Sequence, residues 1–565
     1  MNRYIVLERN VKQFRRNECF KITIYIFCYV FMLFESSMPI FLNDAQIHGR
    51  PNIILIVADD LGWNDVSFHG SGQIPTPNID SLAYSGVILN KYYVNPICTP
   101  SRSALMTGKY PIHTGMQHGV LDGAEPRGLP LTEKILPEYL KELGYRNHIV
   151  GKWHLGSYKK TYTPTFRGFD SHLGFWIGHQ DYNDHTSESN GTWGLDMRKD
   201  MDLAKDLHGK YSTDIFTNRA VKVIDDHDKE KPLFLYVAHA AVHSGNSYNP
   251  LPAPDGYISK FSYIKNYTRQ RFAGMLAKLD ESVGDIVQAL SKKQMLENSV
   301  IIFTTDNGGP AAGFNMNAAS NYPLRGVKDT LWEGGVRGAA FLWSTSLKTP
   351  NRVSSQMMHI TDWIPTILDA VGGHQNFSTE TIDGISMWKS LSEDTASSRN
   401  EILHNIDDII GIVSITKGSW KYVKGESYSG NWSQWYGPSG RRYRYSFRLC
   451  KDSKTYKALR LINKHVNRRI AEKMRTDATV DCSINTTDYS DCKPSEKACL
   501  FNINLDPCEK YNVAELYPNI LAELEETIQR FNATSLPPGN LPRDPRGNPA
   551  NWDYAWVNFG DFSEL

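Results

Sequence analysis

The 565-residue chain is 41% apolar and 22% charged, and its 62 Lys and Arg against 61 Asp and Glu leave a net charge of +1. That balance is globular, which excludes a low-complexity or fibrous chain, and the length exceeds what one hydrophobic core serves, so two domains are expected.

In chain order, Arg15, Arg16 and Lys21 precede an uncharged apolar run at 22–34 that Glu35 ends. The run is too short to span a bilayer and has the length of a signal-peptide core, so residues 1–37 are expected to be a signal peptide, with an uncleaved anchor as the alternative. The expected route is secretory, to lysosome or exterior, with no stable membrane span after signal cleavage. Six Asn-x-Ser/Thr acceptors, at Asn190, Asn266, Asn376, Asn431, Asn485 and Asn532, fit that route.

Residues 51–58 form a continuous apolar, β-branched run of the kind buried on both faces of a sheet, and it ends at Asp59-Asp60. A shorter apolar piece at 149–150 leads into Gly151-Lys152-Trp153-His154, residues 232–238 lead to His239 and His243, and 299–305 lead to Asp306-Asn307. Polar groups just past strand ends mark the edge where open α/β sheets bind ligands. Helices are predicted at 131–143 and at 271–290, where Leu276, Leu279, Val283 and Ile286 recur at helical spacing. The alternation predicts a large α/β domain at 50–398. A hairpin pattern at 411–423 and a helix near 518–531 predict a smaller α+β domain at 399–565, built on an antiparallel sheet.

Asp59, Asp60, Asp306 and Asn307 offer only oxygen, which suits a hard cation such as Ca2+, with Mg2+ possible, and does not suit zinc. Residues 441–475 hold thirteen Lys or Arg against Asp452 and Glu472. Leu459, Ile462, Val466 and Ile470 fit one helical face beneath that charge, which could attract a polyanion or stand as a solvated surface. No nucleic-acid partner is expected of a secreted chain. Of the late cysteines, Cys499 with Cys508 is the preferred disulfide and Cys482 with Cys492 the next; connectivity stays open, and one thiol among these and Cys450 is left over.

Cys98-Thr99-Pro100-Ser101-Arg102, followed by Thr107-Gly108-Lys109, resembles the sulfatase site in which a cysteine is oxidised to formylglycine. Leu143-Gly144-Tyr145 leading to Gly151-Lys152-Trp153-His154 resembles the second signature of that family, with Asn147 where a small hydroxyl residue is usual. Val242-His243-Ser244 matches the family's central histidine, without the proline that is usual soon after it; His239 competes with it. Leu324-Arg325-Gly326-Val327-Lys328 resembles the segment that carries the last active-site lysine.

The resemblance implies an alkaline-phosphatase-like large mixed sheet flanked by helices. It also implies one Ca2+ held by Asp59, Asp60, Cys98 as formylglycine, Asp306 and Asn307, with Arg102, Lys152, His154, His243 and Lys328 as catalytic groups. A formylglycine-generating enzyme would act during maturation, and the substrate would be a sulfated carbohydrate or aryl sulfate. The segments at 58–66, 68–70, 76–80, 167–170 and 332–335 look most like the arylsulfatase B branch, which acts on N-acetylgalactosamine 4-sulfate. The alternatives are desulfation of small sulfated glucosides, a metal-dependent phosphatase of the same superfamily, a Cys-His hydrolase and a non-catalytic polyanion-binding protein.

Overall fold

The computed structural model describes residues 49–313, 318–373, 381–482 and 490–562. The expected signal segment and the acceptors Asn376 and Asn485 lie outside the described residues, while Asn190, Asn266, Asn431 and Asn532 are all exposed. Among the described residues no helix is long and apolar enough to cross a membrane.

Sixteen strands follow in chain order: β1 Asn52–Ala58, β2 Val87–Tyr93, β3 Arg146–Lys152, β4 Ser171–Phe175, β5 Thr186–Ser189, β6 Thr192–Leu195, β7 Arg198–Lys199, β8 Asp202–Leu203, β9 Leu233–Ala238, β10 Ser299–Thr305, β11 Ala340–Ser344, β12 Arg352–His359, β13 Glu401–Asp407, β14 Ile412–Lys417, β15 Trp420–Lys424 and β16 Cys499–Asn502. Ten of them build one mixed sheet in the order β12-β2-β11-β10-β1-β9-β3-β4-β7-β8. Its centre, β10-β1-β9-β3-β4, is parallel throughout.

The β-branched run at 51–58 is therefore the middle of the sheet, and Ile53 to Ala58 are fully buried on both faces. Ile54, Ile56 and Ala58 join a core with the helix Tyr267–Lys292, whose Leu276, Leu279, Val283 and Ile286 face it. Ile53, Leu55 and Val57 join the opposite core, with Leu136 and Leu140 of the helix Leu136–Glu142 and Ile364 and Ile367 of the helix Trp363–Ala370.

The first predicted helix, 131–143, is shorter in the structure, at Leu136–Glu142, because Pro137 seeds its first turn. The second begins earlier than predicted, at Tyr267, where the Asn266 side chain caps Arg269 N–H.

A second sheet, β13-β14-β15-β16, is antiparallel, as the hairpin pattern predicts. It belongs to the same compact unit as the large sheet, Arg50–Leu565. The sheets are joined by an apolar cluster, in which Tyr93 and Met357 of the large sheet pack with Ile402, Val423 and Phe501 of the small one, and by a buried ionic tie: Lys421 of β15, fully buried, lies 2.9 Å from Glu333 Oε1 and 2.9 Å from Glu509 Oε1. Glu509 Oε2 also accepts the Glu333 N–H at 2.7 Å. Burial pushes the Glu509 carboxyl up to about 7, with Lys421 opposing and Glu333 assisting.

Two expectations are corrected. The disulfides are Cys482–Cys508 and Cys492–Cys499, with Cys450 left as a thiol. Cys499 opens β16, whose extended chain and following turn at Asn502–Asp506 carry Cys508 away from it. The basic segment is not one helix either. Helices Phe447–Asp452, Lys454–Leu461 and Arg468–Ala478 break at 462–467, where Asn463 adopts φ +56° and Asn467 caps the next helix. Leu459 and Val466 are buried, and Ile462 and Ile470 half-buried, against the helix-covered core. Several of its cations are already engaged, Lys454 with Asp285, Arg468 with Glu472 and Arg475 with the Ser67 and Gly70 carbonyls.

Lys421→Met would leave the buried Glu509 carboxylate without its cation and Glu333 with Arg337 as its cation, at 3.4 Å, a loss of the kind that typically costs about 3–5 kcal/mol. Chemical denaturation of the full chain is expected to show that loss; a change below about 1 kcal/mol would contradict an ionic tie between the sheets.

Candidate active site

Four strand ends meet at one edge of the large sheet. Val57 of β1 pairs with Ala238 of β9, Ala58 with Thr305 of β10, and Gly151 of β3 with Ala238, so the residues beyond these positions emerge at a common level. Backbone bonds extend the pattern past the strands: Asp59 N–H donates to Ala241 O at 3.0 Å and Val242 N–H to Asp59 O at 2.8 Å. Gly151 has φ +103°, and a Cβ there would lie 1.9 Å from the Ala238 carbonyl, so only glycine lets Lys152 come next.

Cys98 is the first residue of the helix Cys98–Thr107. Its entry is stapled by Ser101 Oγ, which accepts the Asn95 N–H at 2.8 Å and donates to Asn95 O at 3.1 Å. Pro100 is tolerated because a first-turn N–H has no helical partner to lose. Arg102 lies one turn beyond Cys98 and so shares its face.

The side chains then converge. Cys98 Sγ is 3.7 Å from Asp59 Oδ1, and Lys152 Nζ is 2.6 Å from Asp59 Oδ2. Arg102 donates through Nε at 3.1 Å and Nη2 at 2.8 Å to Asp306 Oδ2. Lys328 Nζ lies 2.7 Å from Asp60 Oδ1, and His243 Nε2 lies 3.5 Å from Asp60 Oδ2. Asn307 donates Nδ2–H to Asp60 Oδ1 at 2.8 Å. Arg102, Lys152 and Lys328 thus balance Asp59, Asp60 and Asp306 charge for charge.

Burial and proximity set the protonation. Burial raises the Asp306 carboxyl, and the neighbouring Asp59 adds to the rise. For Asp60 burial acts upward too, but Lys328 and His243 outweigh it and lower the carboxyl. Burial alone would lower Lys328; Asp60, Cys98 and Asp59 together raise it. Burial pushes the Cys98 thiol up to about 12, against the opposing pull of Lys152 and Lys328. His154 is held well below its usual range by burial, then by Lys152 and Arg102. Its Nε2 lies 3.1 Å from the Leu121 carbonyl, which fixes the proton there and leaves Nδ1, buried without a hydrogen-bond partner, as the basic nitrogen.

All ten residues singled out from the sequence fall in or against this cluster. His239 does not: it is fully buried behind the strand end, 3.0 Å from Ser282 Oγ, so the structure brings forward His243. His179, which no sequence pattern singled out, stacks on His243 with ring centroids 5.7 Å apart. It lies just past β4, and its place among polar strand-end residues is the only signal the sequence carries for it. Asn147 is accommodated because its Nδ2 donates to Pro137 O and Gly168 O.

A family model described as Sulfatase matches residues 51–373. Arylsulfatase J of Mus musculus is 40% identical over 505 residues, which cover 88% of this chain and 79% of that protein. The chain belongs to the sulfatase family. N-acetylgalactosamine-6-sulfatase of Homo sapiens is 31% identical over 60% of this sulfatase and 66% of its own length. The crystal structure of Ps i-CgsB in complex with a neocarrahexaose superposes with a TM-score of 0.67 at 26% identity, covering 89% of this chain and 97% of that one. The sulfatase is accordingly a sulfuric ester hydrolase with an alkaline-phosphatase-like fold.

Its donor set, two carboxylates with a thiol and an imidazole, fits a metal ion. Asp59, Asp60, Cys98 and His243 each offer a donor atom within 4.8 Å of the others, and Asn307 Oδ1, beside them, is buried with no hydrogen-bond partner. A free amide oxygen next to carboxylates is what a calcium or magnesium site supplies. After chelator treatment, millimolar Ca2+ or Mg2+ is expected to raise the melting temperature of the sulfatase, by linkage of binding to folding. The rise should shrink in Asp60→Asn; an equal rise in the two proteins would contradict the assignment.

Proposed function

We propose that this sulfatase hydrolyses sulfate monoesters of carbohydrates through a formylglycine formed from Cys98. The observation that carries the reading is the buried Cys98 beside Asp59 and on the same helix face as Arg102. A thiol held up at about 12 is not a thiolate at neutral pH, so unmodified Cys98 makes a poor nucleophile in this setting. That disfavours a Cys-His hydrolase. An aldehyde hydrate at this position would supply two hydroxyls, one to attack sulfur and one to release sulfate. Because Cys98 is only 2% exposed, a formylglycine-generating enzyme would act before the chain folds around it.

A divalent cation, Ca2+ in the family's pattern, would be held by Asp59, Asp60, Asp306 and Asn307 with residue 98, and would supply positive charge facing sulfate oxygen. Arg102, Lys152 and Lys328 spread further positive charge across the floor of the site and favour the crowded charge of the displacement. Lys328, kept protonated by Asp60, would hand a proton to the departing alcohol oxygen; His243, with Nδ1–H committed to Ser244 O at 2.7 Å and pushed by burial down to about 3, presents an unprotonated Nε2 toward the site and would orient the ester as an acceptor. His154 Nδ1 would take the proton from the second hydroxyl. The work of one difficult displacement is thereby divided between two easier steps.

The substrate class rests on similarity. N-acetylgalactosamine-6-sulfatase acts, by its name, on a sulfated hexosamine, and Ps i-CgsB holds a carrageenan-type oligosaccharide, which supports a sulfated sugar, N-acetylgalactosamine-sulfate type, or an aryl sulfate for this chain. Two disulfides and four exposed glycosylation acceptors support a secretory destination, lysosomal or extracellular.

Protein made in a secretory host is expected to hydrolyse 4-nitrophenyl sulfate far faster than 4-nitrophenyl phosphate. Cys98→Ala should lower the sulfatase rate by about a thousandfold or more, as loss of a covalent nucleophile does. A phosphate preference, or activity that survives Cys98→Ala, would overturn the proposal.

A further inference from the structure

The mouth of the site carries a second group of polar side chains that the hydrolytic reading does not use. The loop after the Cys98 helix passes beside the site, with Leu121 N–H donating to Thr99 Oγ1 at 3.1 Å and Leu121 O facing His154. Three residues earlier, His118 places Nδ1 2.9 Å from Asp407 Oδ2 and 3.1 Å from Oδ1. Asp407 ends β13, just after a register shift between Leu403 and Asn405. Bulges of this kind re-aim side chains next to active sites.

The same bulge region is tied to both sides of the site. Asn95 Nδ2 donates to His404 O at 3.1 Å, and Asn405 Nδ2 donates to Gln117 O at 3.0 Å. On the other side Asp329, immediately after Lys328, sits at φ +63° with its N–H donated to Pro96 O at 2.7 Å. Its Oδ2 accepts the Tyr428 hydroxyl at 2.5 Å. The adjacent residues Asn95 and Pro96 thus bond one to His404 O of β13 and the other to the Asp329 backbone N–H, which places Asp329 beside the strand that carries Asp407.

The pair His118 and Asp407 has the form of an oriented imidazole. The Asp407 side chain is 2% exposed and that of His118 is 26% exposed, so the carboxylate is sunk and the ring reaches the surface. Asp407 Oδ1 also accepts the Ile409 N–H at 3.1 Å, which pins the carboxylate before any substrate arrives. With Nδ1 taken, Nε2 is the nitrogen left for a ligand.

We propose that His118, oriented by Asp407, and Asp329 with Tyr428 form a sugar subsite that reads the hydroxyl groups beside the sulfate ester. The inference deepens the sulfatase reading and rests on it. Carboxylate and imidazole acceptors match sugar hydroxyls, and Tyr428, 43% exposed, offers a ring for the apolar face of a pyranose. Asp407 is sunk and screened by His118, which leaves Asp329 as the carboxylate that repels a second anion, so the subsite selects a monosulfated neutral sugar over one joined directly to a uronate. His118 is a specificity residue here; Asp407 is a positioning residue that acts through it.

The test compares wild type with His118→Ala, His118→Gln and Asp407→Asn. The substrates are 4-nitrophenyl sulfate, the 4- and 6-sulfates of N-acetylgalactosamine and of galactose, and a uronate-linked disaccharide bearing the sulfated sugar that wild type prefers. The readout is the ratio of kcat/KM for sugar sulfate to that for aryl sulfate. That ratio is expected to fall about tenfold or more in His118→Ala, chiefly through KM, and less in Asp407→Asn and His118→Gln. Should His118→Ala not fold, the two conservative variants carry the same comparison. A ratio within about twofold of wild type, a parallel loss on both substrate kinds, or a wild-type preference for the uronate-linked sugar would overturn the subsite. A wild type that cleaves aryl sulfate but no sugar would also refute it while sparing the sulfatase reading; failure on every sulfate would refute both.

Discussion

Three aspartates and three cations, all out of water, meet where four strands end: Asp59, Asp60 and Asp306 against Arg102, Lys152 and Lys328. Removing such charges from solvent costs several kcal/mol each, and only close pairing offsets it. The fold therefore has to hold every member close to a partner, and much of its architecture can be understood as meeting that demand. The central strand β1, fully buried, is anchored on both sides by parallel neighbours. Gly151 lets β3 lie close enough to β9 to deliver Lys152. The helix at Cys98 brings Arg102 in from a different layer.

A neutral cluster of this kind is stable but indifferent to an anion. A divalent cation on the same carboxylates would tip its balance to positive and so favour a sulfate ester. The donor chemistry is consistent with that: oxygen atoms, one of them the unpartnered Asn307 Oδ1, and a residue 98 whose sulfur is the one poor ligand for a hard ion. Oxidation of Cys98 to an aldehyde hydrate would replace that sulfur with oxygen. The same change would supply the nucleophile and remove a thiol that burial keeps protonated.

The strand ends were legible because fully buried parallel strands leave continuous β-branched runs, and the residues just past such a run sit at the ligand-binding edge. Asp59, Asp60, Asp306 and Asn307 can be read that way as candidates, and Cys98, Lys152 and Lys328 through motif resemblance. The features that the sequence left ambiguous depend on three-dimensional detail. His239 and His243 come after the same strand, and only the turn beyond it sends one behind the sheet and the other toward Asp60. The disulfides obey the path of β16, whose first residue Cys499 bonds Cys492 before it while Cys508 beyond the strand bonds Cys482, and the basic segment breaks where Asn463 and Asn467 interrupt a helical hydrophobic pattern. His118 and Asp407 lie on separate elements that no local pattern connects, and a bulge in β13 joins them.

Every catalytic role assigned to the cluster depends on the chemical identity of residue 98. Mass analysis of the proteolytic peptide that contains it, from protein made in a secretory host, is the measurement that bears on this without assuming a substrate. The expected result is the mass of an aldehyde-bearing residue in active protein. An active protein whose peptide carries only an intact cysteine would contradict the formylglycine mechanism.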